Sequence, residues 1–205
     1  QAVLDTILPS IRNQHIERVT LSTTMVTNQV IEGREEATDL YIIPGPGAPL
    51  DSLFPVEPIV LGGYTNHRGK VIESVTGGEA LKPSKIGISC AVSAKFGVRN
   101  PSEEEELGRL AKEKGYTIVS EGAKLCGALN FPRRTNSAYF NSAVMKGFQN
   151  FKNEITEALE KRNIEAPLYI LKADGGALPI AHMEQYPVET IFTGPAASVL
   201  GLEAI

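Results

Sequence analysis

The stretch NSAYFNSAVMKGFQNFKNEITEALEKRNIEAPLYILKADGG, residues 136–176, decides the fold. Phe140, Val144, Phe148, Phe151, Ile155 and Leu159 follow one another at steps of four, four, three, four and four, the spacing that keeps side chains on one face of a helix. Glu154, Glu157, Glu160, Lys161 and Arg162 fall largely on the other side, as they would on a helix packed against a sheet. The apolar run Pro167 to Lys172 then reads as a buried strand, ended by Asp174-Gly175-Gly176. A long amphipathic helix that feeds a buried strand predicts an α/β fold.

Downstream, Val188 to Phe192 predicts a further strand running into Thr193-Gly194-Pro195-Ala196-Ala197 and a closing helix. Upstream, Asn100 offers an N-cap, Pro101 a first helical residue, and Glu103 to Glu106 sit at the positive end of the dipole of a helix reaching about Lys114. Gly115 stops that helix, and Tyr116 to Ser120 resumes strand character. Short β-branched runs at Arg18 to Leu21, Asp39 to Ile43, Pro58 to Gly62, Val71 to Val75 and Lys85 to Val92 predict more strands. The turn-rich segment Gly63 to Gly69 makes a hairpin of two of them, so the sheet is expected to be mixed. Val3, Leu4, Ile7, Leu8 and Ile11 predict an opening helix, and the Pro- and Gly-rich run Ile43 to Pro55 an extended loop. At 205 residues the chain is long enough for one large domain or two small ones, with a division expected between 1–92 and 93–205.

Composition removes several functions. Apolar residues are 42% and charged residues 21%, ordinary globular usage that argues against disorder and coiled coil. The formal charge of -4, with no basic stripe, argues against nucleic acid as a partner. No apolar run approaches the roughly 20 residues that span a bilayer, and no secretory signal opens the chain, so no membrane partner and a cytoplasmic location are expected. Cys90 and Cys126 read as small buried side chains rather than nucleophiles.

Several motif matches fail on their chemistry. Gly63 to Lys70 is followed by Val71 where a phosphate-binding loop needs a hydroxyl for magnesium. Gly45-Pro46-Gly47 lacks the third glycine of a dinucleotide fingerprint, and its proline removes an amide. His182 and Glu184 have a deaminase-like spacing with no paired cysteines after them, and no metal ligand set is expected.

Three segments remain open to two readings each. The Thr193 to Ala197 turn either presents free helix-start amides to a phosphate or simply starts a helix. The hydroxyls and amide of Thr23, Thr24, Thr27 and Asn28 either cap a helix or meet a polar ligand. Asp174 with Gly175 and Gly176 either sets a carboxylate at a strand's C-terminal end, where α/β sheets bind ligands, or makes a turn.

Taken together, Ser22 to Asn28, Pro167 to Gly176 and Pro187 to Ala197 resemble the hydantoinase A and 5-oxoprolinase family. Leu21-Ser22 stands where that family usually has His-Gly, and Arg34 to Val75 departs from its commoner members. The resemblance implies a ribonuclease-H-like, actin-like ATPase lobe of the sugar-kinase type. It also implies an interior fragment, because the family's Asp-x-Gly-Gly-Thr turns are not in this sequence. It further implies ATP and Mg2+ as cofactors, a small cyclic amide as substrate and a hydantoinase B-like subunit as a possible partner. Phosphate would lie near Thr193, Gly194, Pro195, Ala196 and Ala197 with Gly175 and Gly176; Asp174 would position water or magnesium; and Thr23, Thr24, Thr27 and Asn28 would meet a polar ligand. A carboxylase of acetone-type ketones and a non-catalytic nucleotide-binding scaffold are the alternatives, and the isolated piece is expected to be inactive.

Overall fold

The computed structural model describes residues 6, 15–48, 50, 52–83 and 88–194. The expected opening helix, the start of the expected 85–92 strand and everything after Gly194 lie outside these residues. The chain forms two compact units, residues 1–28 with 146–205 and residues 29–145. The chain passes from one unit to the other at 28/29 and 145/146, whereas the sequence suggested a division at 92/93.

That sheet belongs to the second unit. Its strands β2 (Thr38–Ile43), β3 (Ile59–Val60), β6 (Ser89–Ala94) and β7 (Ile118–Glu121) are all parallel in the order β3-β2-β6-β7. Both faces are covered. Tyr41, Ile43, Cys90 and Val92 face Leu107 and Ala111 of helix α2 (Ser102–Glu113). Leu40, Ile42 and Ala91 face Phe131, Ala138, Tyr139 and Ala143 of helix α3 (Phe131–Glu160). Burial on both sides explains why these strands read as continuous apolar runs. Strands β4 (Gly62–Thr65) and β5 (Val71–Thr76) form a separate antiparallel hairpin, as Gly63 to Gly69 predicted. Asn66 Oδ1 accepts the amides of Arg68 (2.9 Å) and Lys70 (3.1 Å), and Gly69 takes the left-handed φ of 83° that the turn requires.

Helix α2 begins as its sequence requires. The Ser102 N–H donates to Asn100 Oδ1 (3.1 Å), Pro101 is already helical, and Gly115 ends the helix at φ 106°. Glu103, Glu104 and Glu105 occupy its first turn, as expected, and Glu103 and Glu104, 4% and 0% exposed, also sit inside the unit. Glu104 Oε1 accepts the Ala94 N–H (2.7 Å) and Oε2 the Ala123 N–H (2.6 Å), closing the C-terminal ends of β6 and β7. Arg134, also fully buried, donates to the carbonyls of Ala94, Lys95 (3.1 Å) and Ala128 (2.8 Å). Glycine makes the room: a Cβ at Gly97 would lie 2.8 Å from Glu104 Cδ, and one at Gly108 would lie 2.6 Å from Glu121 Oε1. Burial raises the Glu104 pKa, against the pull of its two amides and of Arg134; burial likewise lowers the pKa of Arg134.

In the first unit β1 (Val19–Leu21) pairs parallel with β8 (Leu168–Leu171), which pairs antiparallel with β9 (Ala177–Pro179). This sheet is mixed through β9, not through the Gly63 to Gly69 hairpin from which a mixed sheet was expected, and Val26, Phe148, Ile170 and Met183 are buried. The strand expected at Val188 to Phe192 is a 3-10 helix over Pro187–Thr190 instead. Thr190 Oγ1 donates back to the Pro187 carbonyl (2.7 Å) and the Glu189 N–H to the Tyr186 carbonyl (3.0 Å), local bonds that compete with a ladder. Among the described residues no helix is long and apolar enough to cross a membrane.

Candidate functional site

Two segments 170 residues apart meet at the C-terminal end of β1. Thr193 Oγ1 donates to the Thr23 carbonyl (2.7 Å) and accepts the Thr23 N–H (3.4 Å), and Thr193 is fully buried. The Phe192 N–H donates to Thr27 Oγ1 (3.0 Å). Gly194 approaches so closely that a Cβ there would lie 2.8 Å from Thr24 Cγ2. Thr23 Oγ1 accepts the Met25 N–H (3.1 Å) at the start of helix α1 (Met25–Ile31), so the Thr23 side chain caps that helix while its backbone makes the tether.

These contacts sort the expected polar-ligand residues. Thr27 and Thr193 spend their hydroxyls holding the two segments together, and Thr23 spends its own on capping the helix. Thr24 and Asn28 are exposed one helical turn apart, with Asn28 Nδ2 donating to Thr24 Oγ1 (3.4 Å). They are the pair whose polar groups face solvent at this end. Pro195, Ala196 and Ala197 lie outside the described residues.

A third segment reaches the same end because β8 runs parallel to β1, with Leu21 beside Ile170. Asp174-Gly175-Gly176 forms the tight turn of the β8–β9 hairpin. Gly175 has φ 84°, its N–H donates to the Lys172 carbonyl (3.1 Å), and the Gly176 N–H donates to Asp174 Oδ1 (3.0 Å). Both glycine amides are thus engaged inside the turn. Sequence reasoning passed over Lys172 and Glu189. Lys172 Nζ lies 3.3 Å from Asp174 Oδ2 and 3.5 Å from Glu189 Oε2, which draws the 187–190 turn to this end. Its signal was its position as the first residue beyond β8. The Gly176 amide first, and then Lys172, hold the Asp174 carboxyl below the usual range; Asp174 first, and then Glu189, hold the Lys172 amine above its own.

The site therefore offers one ammonium, two carboxylates, an exposed hydroxyl and amide, and a glycine entrance, all at the strand end where parallel α/β sheets bind ligands. Among the described residues no group of three or more His, Cys, Asp or Glu side chains could hold a metal ion. Asp174 and Glu189 both lie within 3.5 Å of the Lys172 ammonium.

The sequence of the family described as Hydantoinase/oxoprolinase matches residues 134–205, which include β8, the hairpin turn and the Thr193 segment. No curated protein matches the chain in sequence. In structure the chain is similar to an ATP-dependent caprolactamase from Pseudomonas jessenii, with a TM-score of 0.75 and 18% identity over 95% of this chain and 33% of that one. It is also similar to the nucleotide-free structure of an acetone carboxylase studied for ATP-dependent acetone carboxylation, with a TM-score of 0.73 and 15% identity over 92% of this chain and 31% of that one. The chain spans about a third of the length of these two proteins, and they share its α/β fold.

Proposed function

We propose that these residues are an interior segment of a longer ATP-dependent enzyme that opens a cyclic amide, of the hydantoinase and 5-oxoprolinase type. The observation that carries the reading is the junction of Thr23 with Thr193. It brings two of the family-like segments to one strand end, beside the third. ATP and Mg2+ would supply a phosphoryl group that activates an unreactive amide oxygen, with its charge screened by the cation. Thr193, Gly194, Pro195, Ala196 and Ala197 are the residues proposed to hold phosphate, and Gly175 and Gly176 shape the hairpin turn after β8. Asp174, ionised and braced by Lys172, orients water or a phosphate-borne cation. Thr24 and Asn28 meet the polar edge of the ligand, and Thr23 and Thr27 position them. A hydantoinase B-like partner subunit and a cytoplasmic location accompany this reading.

The test is turnover by the full-length parent with ATP and hydantoin, 5-oxoproline or ε-caprolactam, following ring opening and ADP together. ADP release that depends on the ring supports the reading, and no ATP turnover with any ring ends it. The near-equal TM-scores to a caprolactamase and a carboxylase favour a second reading, ATP-dependent carboxylation of a small ketone. Incorporation of labelled bicarbonate into acetone would select it. Residues 1–205 alone are expected to show little ATPase activity, and robust turnover by them would overturn the view that the cleft is completed from elsewhere.

A further inference from the structure

Phe192 is unusual in two ways at once. Its φ is 63°, in the left-handed region where a bulky side chain is an outlier. Its side chain is nonetheless 61% exposed, so burial of the ring within this unit does not account for the conformation. The backbone is fixed from both sides, by its N–H on Thr27 Oγ1 and by the buried Thr193 that follows. Sparsely populated backbone held by surrounding bonds is found where a side chain must be aimed. Here it turns an aromatic ring outward at the strand end that also carries Thr24, Asn28, Lys172 and Asp174.

We infer that Phe192 is a specificity-determining residue whose ring packs against the apolar part of the phosphoryl acceptor, the methylene edge of a cyclic amide. The inference rests on the reading of the site given above. An adenine ring is held away from its terminal phosphates by ribose and the α-phosphate. An acceptor, in contrast, must come within roughly 3–3.5 Å of the transferring group. A ring adjoining the phosphate turn therefore meets the acceptor, and it favours rings with more methylenes over rings bearing a charge.

Two variants of the full-length parent test this. Phe192→Asn suits a left-handed backbone and removes the ring, and Phe192→Leu keeps apolar bulk. With Phe192→Asn the KM for ε-caprolactam should rise by about tenfold or more, the KM for 5-oxoproline should rise less, and the KM for ATP should stay within about twofold. Phe192→Leu should fall between wild type and Phe192→Asn. An unchanged lactam KM overturns the inference, whether Tm holds or drops; a drop assigns the ring to packing against another part of the parent. A parallel rise in the KM for ATP also overturns it, by making the ring a platform for the base. If the wild-type parent turns over no ring with ATP, the underlying reading fails first and the inference falls with it.

Discussion

The two units treat the same topological position in opposite ways. In the 29–145 unit, the C-terminal ends of β6 and β7 are closed by the chain's own charges, Glu104 on two amides and Arg134 on three carbonyls, both side chains fully buried. In the other unit, the corresponding ends of β1 and β8 carry exposed Thr24, Asn28 and Asp174. Parallel strand ends are where α/β sheets bind ligands, so topology alone nominates both. Buried charge decides between them. A carboxylate and a guanidinium already fill the first end, and the second remains open to a polar ligand.

The sharpest way to break this contrast is Arg134→Met. It strips three carbonyls of their donor and leaves Glu104 buried without its nearest positive charge. Loss of about 3–5 kcal/mol is expected, as for other buried charges deprived of a partner, and urea denaturation followed by circular dichroism would measure it. A loss under about 1 kcal/mol would mean that the end is not sealed by charge.

Gly97→Ala probes the same seal by crowding. Its Cβ would push into the Glu104 carboxylate, with an expected cost of about 1–3 kcal/mol. Pairing it with Glu104→Ala should recover part of that loss, because the two changes share one space.

In the open unit the junction should be weaker but specific. Thr193→Val removes a hydroxyl that both donates to and accepts from Thr23, costing about 1–3 kcal/mol in stability. In the parent it should also impair ATP-dependent turnover, while a mutant as active as wild type would separate the tether from the site.

The smallest effect belongs to the exposed ion pair. Lys172→Met should change stability by less than about 0.5 kcal/mol near neutral pH. The sign of its partner's contribution is fixed by the lowered Asp174 pKa. That stability is present above the unfolded carboxylate range and is lost as pH falls through the lower folded value. Asp174→Asn should therefore flatten the acid limb of the stability curve, and an unaltered limb would show that the carboxylate contributes nothing in solution.

Some of this could be read from the sequence. The Asn66 turn, the Asn100 cap and the Gly115 stop depend on bonds made within a few residues, and all three occur where they were expected. Phe148 and Leu159 of the apolar stripe in the long helix are buried as the period required. The sequence placed Glu103 and Glu104 in the first turn of their helix but did not reveal their burial. Their positions four and three residues before Leu107 place them on the apolar face, and Gly97 and Gly108 mark the room made for the unit's buried acids. At Val188 to Phe192 β-branched content suggested a strand, but Pro187 and the Thr190 hydroxyl favoured a local turn.

Local chemistry thus determined helices, turns, caps and the α/β class, because each rests on periodicity or hydrogen bonds spanning a few residues. Only the tertiary structure decided that β1 pairs with a strand some 150 positions later, that Thr193 locks onto Thr23, and which strand end is sealed. Those outcomes depend on which distant group satisfies a buried donor, acceptor or charge, and no local period encodes that partner.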